Sequence, residues 1–254
     1  MLAPVPSRMY VVGPGQIGRW LASAALADGT TVVPVRRNDS VETIDGPLGT
    51  PILLAVPESA WEQRWLALPT ERRADVIFVQ NDLFPHDVPW HGDETATFAA
   101  VWVLRKPGFP EIVGNTTGVG GRHAQTVARW CETLGVGGLL LRGHEVVDEL
   151  AAKWAFLLVA NAWGLAGAVV LGDEVAGHDR DALLDEACAL AEVRAGRRVS
   201  EAWLRERVSH ALVAMAGMPA RGRTARSRVE RALALASPSI AVPALSRAVQ
   251  SSAL

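Results

Sequence analysis

The sequence predicts an α/β domain with a parallel sheet at its core, followed by an all-α domain. Three observations carry this: short β-rich runs alternate with helix-like ones through the first half, a glycine loop follows the first run, and from Glu145 onward only helical periodicity is left. The expected division is 1–143 for the α/β part and 144–254 for the helical part. "RMYVVG" (8–13) opens as a strand and an amphipathic segment follows at 16–28. Further strands are expected at "TTVVPVR" (30–36), "PILLAV" (51–56) and "DVIFVQ" (75–80), with a helix at 58–68. "AAVWVLR" (99–105), "EIVGNT" (111–116) and "GLLLRG" (138–143) complete the strand set, with a helix near 122–134. Helices are expected at about 145–171, 179–196, 200–216, 223–236 and 243–251, separated by glycine- and proline-bearing breaks.

Length and composition fit this division. At 254 residues, with 49% hydrophobic and 20% charged content, the chain supports one or two globular domains. A formal net charge of -2 gives no electrostatic reason to expect nucleic acid, so a small molecule is the expected partner. Cys131 and Cys188 have no ligand spacing and read as small buried hydrophobes of a reducing compartment. The start "MLAPVPSRMYVV" lacks the basic, apolar and small-residue sequence of a signal peptide, and the expected location is cytoplasmic.

The most specific motif is "VVGPGQIGRW". Gly13, Gly15 and Gly18 form G-x-G-x-x-G between a strand and a helix, which is the context a dinucleotide fingerprint requires. The first glycine permits a tight turn, the second lets the backbone approach a pyrophosphate, and the third lets the helix pack on the strand. Pro14, Gln16 and Ile17 complete the loop, and the helix amides face the anion. The first domain is therefore expected to be Rossmann-like. The end of the second strand selects the cofactor, because an acid there would bond the ribose hydroxyls of NAD and arginine would accept a 2′-phosphate. Arg36 and Arg37 stand there in "PVRRND", with Asp39 just beyond, and this favours NADP (NADPH). Charge pairs of this kind also occur as plain solvated loops.

The second feature is "DELAAKWAFLLVANAWGLAGAVVL" (148–171). The chain has only two lysines, Lys106 and Lys153, in a total of 25 basic residues. Lys153 stands at the mouth of an apolar run whose one further polar side chain is Asn161. From Trp154 to Leu171 there is no formal charge, close to the lower length for a membrane span. Asn161 in mid-run, Gly164, Gly167 and the polar remainder argue instead for a helix buried in the helical domain or in a homodimer interface.

Taken in order, "GPGQIG" (13–18), the basic Arg37, "VQN" ending at Asn81, and "ELAAKWAFLLVAN" with Glu149, Lys153 and Asn161 resemble the ketopantoate reductase family, whose helical domain is of the 6-phosphogluconate dehydrogenase kind. The resemblance implies a reductase using NADPH, with Lys153 as general acid and substrate anchor, Asn81 near nicotinamide and substrate, and Asn161 lining the same cleft between the domains. Hydride addition to a carbonyl develops negative charge on oxygen, which an ammonium stabilises and protonates. Apolar burial beside Trp154 and Phe156 is expected to lower the pKa of Lys153, while Glu149 one turn earlier opposes this. The competing reading is a lysine snorkelling at the end of a buried helix. Departures from the family pattern are Leu157 in place of an asparagine, Asp82 in place of a glycine, and Arg223 near the place of a late glutamate, with Glu230 two turns away. The expected substrate is thus a small 2-oxo acid, or a related carbonyl or imine, other than ketopantoate. The alternative is a catalytically silent relative that binds dinucleotide or a partner protein.

Other constellations carry less. "HEVVDE" (144–149) lacks the second histidine of a zinc peptidase motif, and no metal is expected. His86 and His91 lie in the loop "FPHDVPWHGDE", as a lid or in solvent. "GNTTGVGG" (114–121) reads as turn chemistry. Arg221, Arg223, Arg226 and Arg228 could grip an anion, although a solvated helix face explains them as well.

Overall fold

The computed structural model describes residues 4–88, 96–104, 111–222, 224–238 and 240–252. The chain forms two compact units: Met1–Pro110 with Thr116–Val147, and Glu111–Asn115 with Asp148–Leu254.

The first unit is built on β1 (Arg8–Val12), β2 (Thr31–Val35), β3 (Ile52–Leu54), β4 (Val76–Phe78) and β5 (Thr97–Ala100), with two-residue strands β6 (Val103–Leu104) and β7 (Ile112–Val113) before β8 (Thr117–Gly120) and β9 (Gly138–Leu140). The main sheet has the order β2-β1-β3-β4-β5-β8-β9. Every neighbouring pair is parallel except β5 with β8. β1, β3 and β4 are buried on both faces, as a parallel sheet covered by helices requires. β2 carries Pro34, which lacks the N–H a central strand would need, and it lies at the edge of the sheet. Helices α1 (Gln16–Ala27) and α3 (Ala124–Thr133) pack together on one face, closing a core of Met9, Val11, Trp20, Leu21, Val127 and Trp130. A short α2 (Trp61–Leu66) follows β3.

One cluster fixes the end of this sheet opposite the glycine loop. Asp75, at the entry to β4, is fully buried and accepts two bonds of 3.0 Å from the Gly49 N–H and one of 2.9 Å from Arg72 Nε. Arg72 in turn donates to the Gly46 and Thr50 carbonyls, at 2.6 and 3.1 Å. A carboxylate and a guanidinium thereby organise the long connection between β2 and β3.

The second unit is helical. α4 (His144–Leu165) starts in the first unit and runs through the second, followed by α5 (Arg180–Ala195), α6 (Glu201–Ala214), α7 (Ala225–Leu233) and α8 (Pro243–Ser251). Asp179 caps α5 by accepting from the Asp181 and Ala182 N–H groups, and Ser200 caps α6 through Trp203 N–H. Glu186 of α5 places both carboxylate oxygens 2.8 Å from the Ala244 and Leu245 N–H groups, so a buried anion meets the positive end of α8.

Two local expectations change. "GNTTGVGG" is not a turn throughout, because Thr117–Gly120 is the buried strand β8. A Cβ on Gly120 would stand 2.1 Å from Val146 Cγ2 and 3.0 Å from the Leu141 carbonyl, so glycine is there for close approach. The helix expected over 145–171 ends at Leu165, with Gly167 at φ +120° and the Val169 and Val170 N–H groups turned onto the Asp173 carboxylate. Among the described residues no helix is long and apolar enough to cross a membrane.

Candidate dinucleotide site and the lysine helix

The glycine loop follows directly from β1. Gly13 takes φ +81°, and a Cβ there would lie 2.8 Å from Val56 Cγ1 and 2.9 Å from the Ala55 carbonyl. Gly18 meets the Gly13 carbonyl at 2.7 Å by the same measure, so α1 sits as close to β1 as a missing side chain allows. Gly15 differs, since the nearest atom to its Cβ position is the Gly13 carbonyl oxygen at 3.9 Å. Its backbone is open on that side. Gly15 and Gln16 are exposed, Gly13, Pro14 and Ile17 are half-buried, and Ile17 packs against the core beneath. Gly15, the residue before α1, has no side chain to cap the helix, and the first turn holds no acid. N–H groups unengaged among the described residues and an open glycine form a cradle that fits a phosphate or pyrophosphate group.

The loop after β2 lies beside that cradle, because β2 and β1 are adjacent and parallel. Arg36 and Arg37 are exposed. The Asp39 carboxylate accepts the Arg36 N–H at 2.7 Å, closing a turn. From α2, Arg64 donates to the Asp39 carbonyl at 3.0 Å and to the Arg37 carbonyl. Sequence reasoning missed Arg64 because its role depends on α2 reaching across the loop. Arg19 adds another cation at the cradle, its Nε 3.4 Å from the Gly15 carbonyl.

Asn81 follows β4, two strands from β1 and so about 10 Å across the sheet. It is half-buried, and its carboxamide makes no hydrogen bond among the described residues. Its neighbour Gln80 is buried and ties this turn to the end of β3, donating to the Leu54 and Val56 carbonyls at 2.7 and 3.2 Å. Gln80 therefore positions Asn81, a role with no signature in the sequence.

In the second unit, Lys153 is the tenth of the 22 residues of α4 and only 6% exposed. Ala152, Trp154, Ala155 and Phe156 around it are buried. A lysine in mid-helix at this depth is not snorkelling at a helix end. Glu149, one turn earlier, is 2% exposed and gripped by Arg207 of α6: Nε lies 3.2 Å from both carboxylate oxygens and Nη2 2.7 Å from one. Arg207 also donates to Asn115 Oδ1 at 3.1 Å, which lies 2.8 Å from His210 Nδ1. Because both Asn115 Oδ1 and the Gly114 carbonyl face Nδ1, that nitrogen carries the proton. Asn161 is buried, donating to the Leu157 carbonyl at 2.6 Å and accepting from Gly222 N–H at 3.3 Å. Among the described residues its second N–H and second lone pair meet no further partner.

Among the described residues the other constellations do not form sites. Arg226 is paired with Glu230 at 2.9 Å while Arg228 is 7% exposed, so these arginines do not share one face; Arg223 lies outside the described residues. His86 lies 3.7 Å from Asp87 beside Phe84, and His91 and Lys106 are outside the described residues. No cluster of metal-ligating side chains occurs among the described residues.

A mostly parallel sheet with a glycine loop at its first strand, followed by a helical unit, defines a Rossmann-like architecture with an all-α C-terminal part. Solved structures agree along nearly the whole chain. D-mandelate dehydrogenase in complex with NADH matches with a TM-score of 0.66 at 11% identity, covering 97% of each chain. A PanE/ApbA family ketopantoate reductase from Ralstonia eutropha JMP134 matches with a TM-score of 0.65 at 15% identity, over 96% of each. A dimeric ketopantoate reductase from Staphylococcus aureus gives 0.63 at 14%, again over 96% of each. The resemblance read from the motifs thus extends to the fold, and at these identities the likeness is one of fold. No protein-family model and no curated protein matches the sequence.

Proposed function

We propose that this protein is an NADPH-dependent reductase of a small 2-oxo acid, or of a related carbonyl or imine, with residues 1–143 holding the dinucleotide and 144–254 serving substrate binding and dimerisation. The observation that carries the reading is the open cradle at Gly15, bounded by two glycines whose missing side chains are required by contact. When bound, the dinucleotide supplies the hydride. The N–H groups at Gln16, Ile17 and Gly18 face its pyrophosphate, and Pro14 and Gly13 shape the turn that exposes them. Arg36 and Arg37 receive the 2′-phosphate. Asn81, with its free carboxamide, orients nicotinamide and substrate. Lys153 holds the substrate oxygen and delivers the proton from Nζ, and Asn161 uses its remaining N–H and lone pair to orient the substrate. The absent asparagine at Leu157 supports a substrate other than ketopantoate.

Parallel titration of the purified protein with NADPH and NADH, by tryptophan fluorescence and calorimetry, tests the cofactor half. NADPH is expected to bind more tightly, and binding of neither would remove the reductase reading. Lys153→Ala tests the chemical half once a 2-oxo acid or imine screen gives turnover. The expected result is a fall in kcat of roughly a hundredfold or more with NADPH affinity retained, and an unchanged kcat would remove Lys153 from the mechanism. One observation favours the silent alternative: Asn161 is already hydrogen-bonded to Leu157 and Gly222. On that reading NADPH binds and no substrate in the screen turns over.

A further inference from the structure

Resting on the dinucleotide reading, we infer that Arg64 is a specificity-determining residue, the third cation of a 2′-phosphate pocket and the side chain that sets its shape. The three relevant stretches emerge from the carboxyl ends of neighbouring parallel strands: the glycine loop after β1, residues 36–39 after β2, and α2 after β3. Arg64 projects from α2 to the loop after β2 and donates from one guanidinium nitrogen to the Asp39 carbonyl at 3.0 Å and from another to the Arg37 carbonyl. A guanidinium has five donors, and these two bonds leave three beside a loop already carrying Arg36 and Arg37. The planar fork therefore performs two tasks, fixing the loop backbone and placing charge next to it.

Asp39 supports the same conclusion. A carboxylate after the second strand would select NAD if it faced the ribose hydroxyls. Here it accepts the Arg36 N–H at 2.7 Å, while the Asp39 N–H donates back to the Arg36 carbonyl at 3.1 Å, so the acid closes the turn it belongs to. Arg64 holds the carbonyl of that same residue. The acid is committed to the loop, and the cations are what the loop presents. Lysine at 64 would supply charge but not the fork that reaches two carbonyls.

The test uses calorimetry with NADPH, NADH, and the fragments 2′,5′-ADP and 5′-AMP, so it needs no turnover. Loss of one charge-assisted contact corresponds to about a tenfold to hundredfold change in affinity. Arg64→Ala is expected to weaken NADPH and 2′,5′-ADP by that factor while NADH and 5′-AMP stay within about twofold of wild type. Arg64→Gln, which keeps side-chain donors for the carbonyls without the charge, guards against a folding defect and is expected to lose the same preference. An equal loss for all four ligands, or no loss for any, overturns the inference. Wild-type protein that binds NADH without preferring NADPH overturns it while leaving the dinucleotide reading intact, and wild type that binds none of them overturns both.

Discussion

Single residues in this protein act mainly through what they prevent from being left unpaired. Glu149 is among the most deeply buried carboxylates in the helical unit, and Arg207 meets it with the Nε–Nη2 edge of its guanidinium. Truncating one partner of such a pair removes its charge-assisted bonds in a low dielectric, whereas removing both is far cheaper. Arg207→Met is therefore expected to destabilise the protein by about 3–5 kcal/mol, and adding Glu149→Gln should restore part of it; urea melts of Arg207→Met, Glu149→Gln and the double variant measure the coupling. Additive effects would show that the pair does not interact. The two cysteines illustrate the opposite case. Burial pushes the thiol of Cys131 up to about 11 and that of Cys188 up to about 12, the neighbouring Glu201 and Glu192 adding to the second. Thiolate is the reactive form, so neither should react with a disulfide reagent in the native protein near pH 8, and both should react after unfolding in guanidinium. Native labelling of either at the rate of a free thiol would contradict this.

At the scale of elements, the close approaches are made by glycine. β9 lies against α3 so tightly that a Cβ on Gly138 would stand 2.5 Å from both the Cα and the carbonyl oxygen of Ala128. Those are backbone atoms and cannot rotate away. Gly138→Ala should cost about 1–3 kcal/mol in a thermal or urea melt, and a neutral result would show that β9 can shift along α3. The same feature explains which elements could be read from the sequence. β1 and α1 were legible because an apolar run ends on a glycine motif with its own geometry, and the Rossmann-like class followed from them. β8 was not, because "TGVG" has no apolar alternation, and it is a strand through its pairing with β5 and β9. The apolar run after Trp154 concealed the end of α4, which is set by Gly167 and by Asp173 drawing two N–H groups out of the helix. In the candidate sites, the glycine loop and Lys153 carry local signals. Arg64, Gln80 and Arg207 do not, because each acts on a partner 24 or more residues away in sequence.

At the scale of the whole molecule, stability depends on how the sheet's two ends are used. The carboxyl end of the sheet presents open backbone at Gly15 and the exposed Arg36 and Arg37, whereas the other end is closed by the Asp75 cluster. Burial acts to raise the pKa of Asp75, but the neighbouring His123, Arg72 and the Gly49 N–H outweigh it and hold it below the ordinary carboxylate value. Arg122 adds a further cation 3.3 Å away. A carboxylate whose pKa is lower in the folded than in the unfolded chain binds its proton more readily once unfolded. Its stabilisation is complete above the unfolded value of about 3.9 and is lost as pH falls through the lower folded value. Urea midpoints measured from pH 7 to pH 3 should accordingly drop towards the acid end. Asp75→Asn should be less stable at pH 7 by about 3–5 kcal/mol, because it leaves Arg72 buried opposite a neutral group, and should show a shallower acid decline. If the variant lost stability towards acid as steeply as wild type, the acid sensitivity would originate elsewhere, and the cluster would be holding the β2–β3 connection through its hydrogen bonds alone.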